Sequence, residues 1–286
     1  MSKKAAVWMV VATHKEYRMP HDRMYVPVFV GASLKSEDEI ALLPLNYNRD
    51  DSGDNISEMN PRFCELTGLY WAWKNLDSKY LGLVHYRRHF RGSRKIAKKM
   101  SKYYGKKDPF SKVLTFRELK EYLGTYSVIV PPKRHYYIET LEKHYAHNHY
   151  INELNTARDI MLEKYPEYKD SYEKAIKRTW GYMFNMMILR RDLMDDYCSW
   201  LFDILFELSE RLGSTPDKSS FEERFAGRVS ERLFNVWLEQ KIREGTVKPE
   251  EIKEIPFMYM EKINILNKGF TFLRAKFFGK KPKKSF

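Results

Sequence analysis

The chain has 286 residues, of which 43% are hydrophobic and 31% charged, a composition that excludes disordered and fibrous proteins. Its net charge is +13, but sixteen of the 51 basic residues lie in segments 91–107 and 262–286, which contain no acid. The remaining 35 basic residues face 38 acidic ones, so the body of the protein is near neutral. The two basic segments predict surfaces for an anionic partner, although two solvated faces without a partner would look the same.

Cysteine content and hydropathy indicate the cellular compartment of the protein. The two cysteines, Cys64 and Cys198, form neither a disulfide framework nor a zinc-binding spacing, which favours a reducing compartment. No run approaches the roughly 18 consecutive apolar residues of a membrane span. We therefore expect a cytoplasmic protein.

The first predicted element is a buried strand at 5–15, since its apolar, β-branched run is typical of a central strand in a parallel sheet. Ligands of such sheets bind outside the carboxyl ends of the strands. Thr13, His14 and Lys15, which end this strand, are therefore candidate donor-binding residues. Further strands are predicted at 26–31, 80–90, 126–132 and 181–191.

Helices alternate with these strands. A polar loop at 44–60 precedes a helix at 61–75, with Asn60 as its N-cap and Pro61 at its first position. This alternation predicts an α/β fold with a mainly parallel sheet flanked by helices and a helix-rich C-terminal half. We expect one domain over residues 1–245, followed by a basic aromatic tail at 246–286. Further helices are predicted at 116–124, 138–164, 169–178, 192–213 and 223–245.

Three segments carry a family resemblance: VVATHKEYRMP at 10–20, DDSGDNISEMNPRFCELTGLYWAWKN at 50–75 and YLGLVHYRRHF at 80–90. Together they resemble bacterial capsular and exopolysaccharide glycosyltransferases formerly filed as a domain of unknown function. The resemblance covers about residues 6–240. It implies a GT-A-like fold and transfer of a hexosyl group, with galactose as the expected sugar, from a UDP-sugar to a glycan carried on a polyprenyl diphosphate.

Such chemistry requires positive charge at the leaving diphosphate. Many GT-A enzymes supply it through a metal bound by an Asp-x-Asp motif, which this sequence lacks. His85-Tyr86-Arg87-Arg88 stands at the matching place. Because guanidiniums bind phosphate oxygens bidentately, we predict that Arg87 and Arg88 neutralise the diphosphate; salt bridges to the loop at 50–58 are the alternative. His85 is assigned to the donor site, but it could also bind a metal, so Mn²⁺ or Mg²⁺ stays open as a cofactor.

Other polar residues have two interpretations each. The resemblance assigns Asp54 and Asn55 to the donor site, whereas the acidic loop alone also fits a divalent cation site or a solvated turn. Asn185, inside the predicted strand at 181–191, is either structural or a sugar contact, since a buried Asn must be hydrogen-bonded. Glu65, on an apolar helix face, is expected to pair with an arginine such as Arg87 or Arg88.

Candidates for acid–base catalysis lie further along the chain. Four histidines occur at 135–149, and His149 or His144 is predicted to act as acid or base, with Asp159 or Glu153 as the carboxylate. A zinc site is the alternative, but no HExxH motif is present. Residues expected to line an acceptor pocket or to supply a base are Asp192, Arg228, Glu231 and Arg232.

The tail combines phenylalanines with lysines, which predicts an interfacial anchor on an anionic membrane surface, with 91–107 as a second basic face. We therefore expect a peripheral location at the inner face of the cell membrane. The sequence has no RRM, KH or OB signature, so a nucleic acid partner is not predicted. An RNA-binding protein and a non-catalytic scaffold of polysaccharide assembly are the alternatives.

Overall fold

A computed structural model describes residues 4–105, 107–213 and 223–261. The chain divides into two compact units. Among the described residues, the sheet unit comprises 4–105, 107–132, 185–198 and 247–261. Among the described residues, the helical unit comprises 133–184, 199–213 and 223–246.

The described residues form eleven strands and ten α-helices. The strands are β1 (Ala5–Thr13), β2 (Tyr25–Phe29), β3 (Asn48–Arg49), β4 (Ser78–His85), β5 (Arg88–Phe90), β6 (Val128–Val130), β7 (Arg134–His135), β8 (Trp180–Gly181), β9 (Met187–Arg190), β10 (Ile252–Glu254) and β11 (Phe257–Tyr259). The helices are α1 (Glu37–Ala41), α2 (Asn60–Phe63), α3 (Leu66–Asn75), α4 (Arg94–Tyr104), α5 (Phe116–Leu119), α6 (Leu141–Asn148), α7 (Ile151–Lys164), α8 (Lys169–Ile176), α9 (Arg191–Leu212) and α10 (Phe225–Arg243).

Nine strands form the sheet of the sheet unit. Seven follow the order β10-β6-β9-β4-β1-β2-β3, and β5 pairs with both β4 and β11. β1 lies between β4 and β2 and is parallel to both. Its residues from Met9 to Ala12 are buried on both faces of the sheet, as a central parallel strand requires. The predicted α/β fold with a mainly parallel sheet and a helix-rich later half is confirmed.

The predicted strand at 181–191 is wrong in its middle. β8 ends at Gly181 and pairs with β7 in a separate two-stranded sheet, whereas β9 begins at Met187 and runs antiparallel to β4 and β6. Phe184 and Asn185 have φ values of 77° and 49°. This left-handed backbone cannot continue a strand, so Asn185 stands in the turn before β9.

The predicted helix at 61–75 is two helices. Cys64 has a φ of 52°, a positive value that interrupts the helix between α2 and α3. Asn60 is the first residue of α2 and is not its N-cap. Its side-chain amide instead donates to the carbonyl of Cys64 at 2.8 Å and to the hydroxyl of Thr67 at 3.1 Å, bracing the break.

The predicted strand at 80–90 ends at His85, where the chain turns through Tyr86 and Arg87 into antiparallel β5. β11 extends this hairpin, and β10 pairs with β6. Both strands lie beyond residue 245, in the segment that the sequence places in a tail. Strands of three residues are too short to show a period of two, which explains why the sequence did not reveal them. The remaining tail, 262–286, lies outside the described residues.

The helical unit is organised around α10, which packs against α7 and α8. Trp237 and Leu233 of α10 are fully buried. The predicted helix at 138–164 is interrupted between Asn148 and Ile151, giving α6 and α7. Among the described helices, none combines the length and the apolar composition that crossing a bilayer requires.

Candidate functional site

The carboxyl ends of β1 and β4 lie side by side. Ala12 is in register with His85, and the backbone N–H of Tyr86 donates to the carbonyl of Ala12 at 3.1 Å. The Thr13 hydroxyl donates to the carbonyl of Lys15 at 2.6 Å, which fixes the turn after β1. Two strands that end 72 residues apart in sequence, at Thr13 and His85, therefore present their last residues at one edge of the sheet.

The ring of Tyr86 is the centre of this edge. It is 3% exposed, and its centroid lies 5.3 Å from the ammonium of Lys15 and 5.3 Å from the guanidinium carbon of Arg87. The His14 ring lies edge-on to it at 5.3 Å, and the Tyr17 ring at 4.9 Å. Cations on an aromatic face are held by the ring quadrupole, so Tyr86 gathers positive charge from both strands.

Lys15 and Arg87 have no direct carboxylate partner among the described residues. Within the described ranges, neither Lys15 nor Arg87 lies within 4.0 Å of a carboxylate oxygen. Arg87 therefore makes no salt bridge to the loop at 50–58, which was the alternative interpretation. Positive charge without a direct carboxylate partner, at the carboxyl ends of parallel strands, is suited to binding an anion.

Arg88 occupies a different environment. It lies on β5 opposite Tyr259 of β11, and its guanidinium carbon is 5.6 Å from the centroid of that ring. The two arginines that the sequence groups together thus stand over different aromatic rings. We define Lys15, Tyr86 and Arg87 as the Tyr86 cluster.

A buried carboxylate adjoins this cluster. Glu65, just before α3, has an oxygen 3.4 Å from Nε2 of His85 and accepts a 2.8 Å hydrogen bond from the side-chain amide of Asn185. Burial opposes the charge on Glu65, but the contacts with His85 and Asn185 outweigh it and lower the pKa of Glu65 to about 2. The partner of Glu65 is therefore His85 and not an arginine.

The two ring nitrogens of His85 differ in their hydrogen bonding, since Nε2 faces Glu65. Nδ1 is shielded from solvent and has no hydrogen-bond partner among the residues that the structure describes. Because buried polar atoms are normally satisfied, Nδ1 is the atom of this ring that a ligand or a water molecule would engage.

In the acidic loop, Asp50 has a structural role. It is fully buried and accepts hydrogen bonds from the N–H groups of Gly31 and Ala32 at 2.9 and 3.0 Å. It also accepts from the hydroxyls of Ser57 at 2.5 Å and Thr67 at 2.6 Å. Four donors satisfy this carboxylate, which fastens the loop to β2 and α3.

The predicted donor-site residues of this loop lie at its surface. Asp54 is exposed and accepts a hydrogen bond from the Tyr70 hydroxyl at 3.1 Å. Asn55 accepts from the N–H of Ser57 at 3.2 Å, an ordinary Asx turn. In the described part of the chain, no group of three or more His, Cys, Asp or Glu residues is arranged to hold a metal ion.

The helical unit contains its own polar clusters. Glu139, 5% exposed, has one oxygen 3.1 Å from Nδ1 of His144 and the other 3.1 Å from Nδ1 of His147. Burial and the nearby Arg232 charge lower the pKa of His144. Glu139 was not a candidate in the sequence, although its positions five and eight residues before the two histidines were a usable signal.

The carboxylates of α7 differ in burial. Glu153 is 1% exposed, accepts a 2.6 Å hydrogen bond from the Tyr145 hydroxyl and pairs with Arg228 at 3.2 Å. Asp159 is exposed and pairs with the adjacent Arg158. His149 ends α6, with its ring 5.0 Å from that of Tyr145. The structure thus places His149 beside Tyr145, the hydrogen-bond partner of Glu153, and Asp159 on the outer face of the helix.

The remaining acceptor-side candidates are also placed. Glu231 accepts from the N–H of Phe184 at 2.9 Å and pairs with Arg232, whose guanidinium lies 5.0 Å from the centroid of the Tyr145 ring. Arg228, Arg232 and Glu231 therefore belong to one cluster on α10. Asp192 is bound by Arg190 in the sheet unit.

Comparison with known structures identifies the class of fold. The apo structure of the bifunctional glycosyltransferase WbbM aligns with 90% of this chain at a TM-score of 0.77 and 27% sequence identity. The alignment covers 46% of that chain, so the present chain spans about half the length of that protein. The prediction of a fold similar to that of a glycosyltransferase is confirmed.

The family follows from residues 8–242, which match the family model described as "Domain of unknown function (DUF4422)". The chain belongs to this family. No curated protein matches the chain. The resemblance inferred from the three sequence segments is confirmed in its extent and in its link to glycosyltransferases.

Proposed function

We propose that this chain is a glycosyltransferase that transfers a hexosyl group, galactosyl in pyranose or furanose form, from a UDP-sugar to a lipid-linked polysaccharide precursor. One observation carries the proposal: Lys15 and Arg87, without carboxylate partners in the described chain, converge on Tyr86 at the ends of β1 and β4. The structural similarity to WbbM, a glycosyltransferase, supports a nucleotide sugar as the anion that binds there.

The Tyr86 cluster binds the diphosphate of the donor. When the bond between the anomeric carbon and the phosphate oxygen breaks, negative charge grows on the leaving diphosphate. The guanidinium of Arg87 can meet two oxygens at once, and the ammonium of Lys15 adds a point charge. Because this charge is greatest in the transition state, the cluster contributes to turnover as well as to donor affinity.

His85 contacts the nucleotide-sugar donor at the edge formed by the ends of β1 and β4, and Glu65 holds the His85 ring in position. The ionised Glu65 carboxylate accepts from Nε2 of His85 and so fixes the orientation of the ring. Asn185 holds Glu65 from the turn before β9. Nδ1 of His85 is then presented to the bound donor, in the way that a carboxylate orients a catalytic or metal-binding histidine in other proteins.

The acceptor is proposed to be a glycan on a polyprenyl diphosphate. This acceptor would place the reaction at the inner face of the cell membrane, with the protein bound peripherally. His149 and the buried Glu153 cluster are the acceptor-side candidates in the helical unit. Asp159, on the exposed face of α7, is the weaker candidate for the base because nothing there desolvates it.

The first test is a thermal-shift screen of nucleotide sugars, each with Mn²⁺ and with EDTA. A ligand at 100 times its Kd adds about 2.7 kcal/mol to the free energy of unfolding, which is readily detected. UDP-sugars are expected to raise the midpoint, and Arg87→Ala is expected to cut the added free energy of unfolding by about half or more, because its affinity should fall by at least about 10-fold. Arg117→Ala removes an exposed arginine of the same unit and serves as the matched control.

A second measurement separates an enzyme from a scaffold. Release of UDP from the stabilising donor in the presence of acceptor lipid is expected for the wild-type chain and not for Arg87→Ala. Binding without release would support the scaffold. If no nucleotide sugar stabilised the chain, the proposal would fail.

A further inference from the structure

Helix α4 has two sharply different faces. It begins after Ser93, whose hydroxyl accepts from the N–H of Ile96, and it ends at Gly105. At 3.6 residues per turn, its basic side chains fall within an arc of about 140°. The half-buried residues are Ile96, Ala97, Met100, Ser101 and Tyr104, and the exposed ones are Arg94, Lys95, Lys98, Lys99, Lys102 and Tyr103. We call the five exposed basic residues the cationic face.

The positive charge of the cationic face is not compensated. Within the ranges that the structure describes, none of its five side chains lies within 4.0 Å of a carboxylate oxygen. Elsewhere in the structure, exposed lysines such as Lys35 and Lys174 do pair with glutamates. The sequence from 91 to 107 contains no acid that could reach this face locally.

The helix is held in place by its other side. The hydroxyl of Tyr104 accepts from the N–H of His21 at 3.1 Å, and its ring lies 6.3 Å from that of Phe110. Tyr104 also faces the guanidinium of Arg18 at 5.4 Å. The cationic face is therefore presented by a fixed helix of about 16 Å, given a rise of 1.5 Å per residue.

We propose that the cationic face of α4 docks on the anionic headgroups of a lipid bilayer. Five uncompensated charges on one side of a helix complement a surface of phosphate headgroups. Tyr103, 79% exposed at the edge of the arc, is suited to the membrane–water interface. This inference does not depend on the proposed catalytic activity.

Single-stranded RNA fits this face less well. Proteins that bind it stack successive bases on several aromatic rings, whereas α4 offers one exposed ring, that of Tyr103, beside its cationic face. Four of its five cations are lysines, which act as point charges and lack the planar fork of arginine. Binding to an anionic bilayer requires a high density of positive charge and is helped by an aromatic ring at the interface. The cationic face supplies the charge, and Tyr103 supplies the ring.

The test uses the full chain and sedimentation with vesicles. One set of vesicles contains phosphatidylcholine alone and the other contains phosphatidylcholine with phosphatidylglycerol. The variant carries K95Q, K98Q, K99Q and K102Q. The matched control carries K79Q, K120Q, K143Q and K169Q, four exposed lysines without a described ion pair and with the same change in net charge. The tail at 262–286 is present in every protein.

Each basic residue at an anionic surface changes affinity by about fivefold, so the α4 variant is expected to lose more than about 100-fold for phosphatidylglycerol vesicles. The control should lose far less, and wild-type binding should weaken with added salt. Both variants should unfold at the wild-type midpoint, since these lysines are exposed. Equal losses in the two variants, or wild-type binding by the α4 variant, would overturn the proposal. So would unchanged vesicle binding with loss of binding to a single-stranded RNA.

Discussion

A carboxylate oxygen of Glu65 lies 3.4 Å from Nε2 of His85, directly after the break that separates α2 from α3. This pair joins a helix start to the last residue of a central strand. Asn185 completes the arrangement from a third segment of the chain. A buried negative charge thus fixes a histidine next to the two cations of the Tyr86 cluster.

Glu65→Gln is expected to change the pH dependence of stability. The pKa of Glu65 falls from 4.5 to about 2 in the folded chain, so the unfolded state binds the proton first as the pH drops. The stabilisation, of order 3 kcal/mol, is therefore complete above about pH 4.5 and is lost as the pH falls toward 2. Urea unfolding from about pH 7 to about pH 3 should show the wild-type advantage over Glu65→Gln shrinking across this window. A constant difference at every pH would count against an ionised Glu65.

Asn185 is predicted to contribute in two separable ways. Its φ of 49° favours Gly over Ala, and its amide donates to Glu65 at 2.8 Å. Asn185→Gly should lose mainly the hydrogen bond, about 1–3 kcal/mol of unfolding free energy, because the bond leaves a buried carboxylate. Asn185→Ala should lose roughly 1 kcal/mol more from backbone strain. Ala better tolerated than Gly would show that the left-handed turn is not required.

Two aspartates of the acidic loop should behave in opposite ways. Asp50→Ala leaves four donors without their acceptor and is expected to cost more than about 3 kcal/mol of unfolding free energy. Asp54→Ala, at an exposed position, should change it by less than about 0.5 kcal/mol. The same substitution should lower the affinity for UDP-sugars, because the family resemblance implies that Asp54 belongs to the donor site. Donor affinity equal to wild type would remove Asp54 from the site.

The burial of His89 predicts that the fold loses stability in acid. It is fully buried between Tyr25 and Phe110, and burial lowers its pKa to about 3 against a weaker opposing influence of the Tyr86 backbone. The unfolded state therefore takes up the proton first, and stability falls as the pH drops from about 6.5 to 3, by roughly 5 kcal/mol.

His89→Phe removes this proton uptake and should unfold at a lower pH than the wild type. The exposed His135→Phe is the matched control and should follow the wild-type acid curve. Identical acid midpoints for His89→Phe and wild type would contradict the buried, neutral histidine.

The sequence predicted the sheet well because buried parallel strands are continuous apolar runs, as in β1 and β4. It also assigned Lys15, at the end of β1, and Arg87, at the end of β4, to one donor site, and the structure places both beside the Tyr86 ring. It did not reveal Tyr86 as the shared ring, because an aromatic residue after a strand carries no distinguishing pattern.

Other features depend on contacts that are distant in sequence. Glu65 contacts His85 and not an arginine. The side chain of Asn185, which donates a hydrogen bond to Glu65, lies 120 residues further along the chain. The breaks at Cys64 and at Phe184 require positive φ in residues other than glycine, which no propensity indicates. β10 and β11 are too short for periodicity to detect.

The most direct test of the account is a calorimetric titration of UDP into the wild-type chain, Lys15→Ala, Arg87→Ala and the double variant. A hydrogen bond to a charged group is worth about 1.5–3 kcal/mol, so each single variant should bind roughly 10- to 100-fold more weakly. The double variant should show no measurable binding, while Arg117→Ala should bind like the wild type. Wild-type affinity in the double variant would show that the diphosphate is not held by the cations on Tyr86.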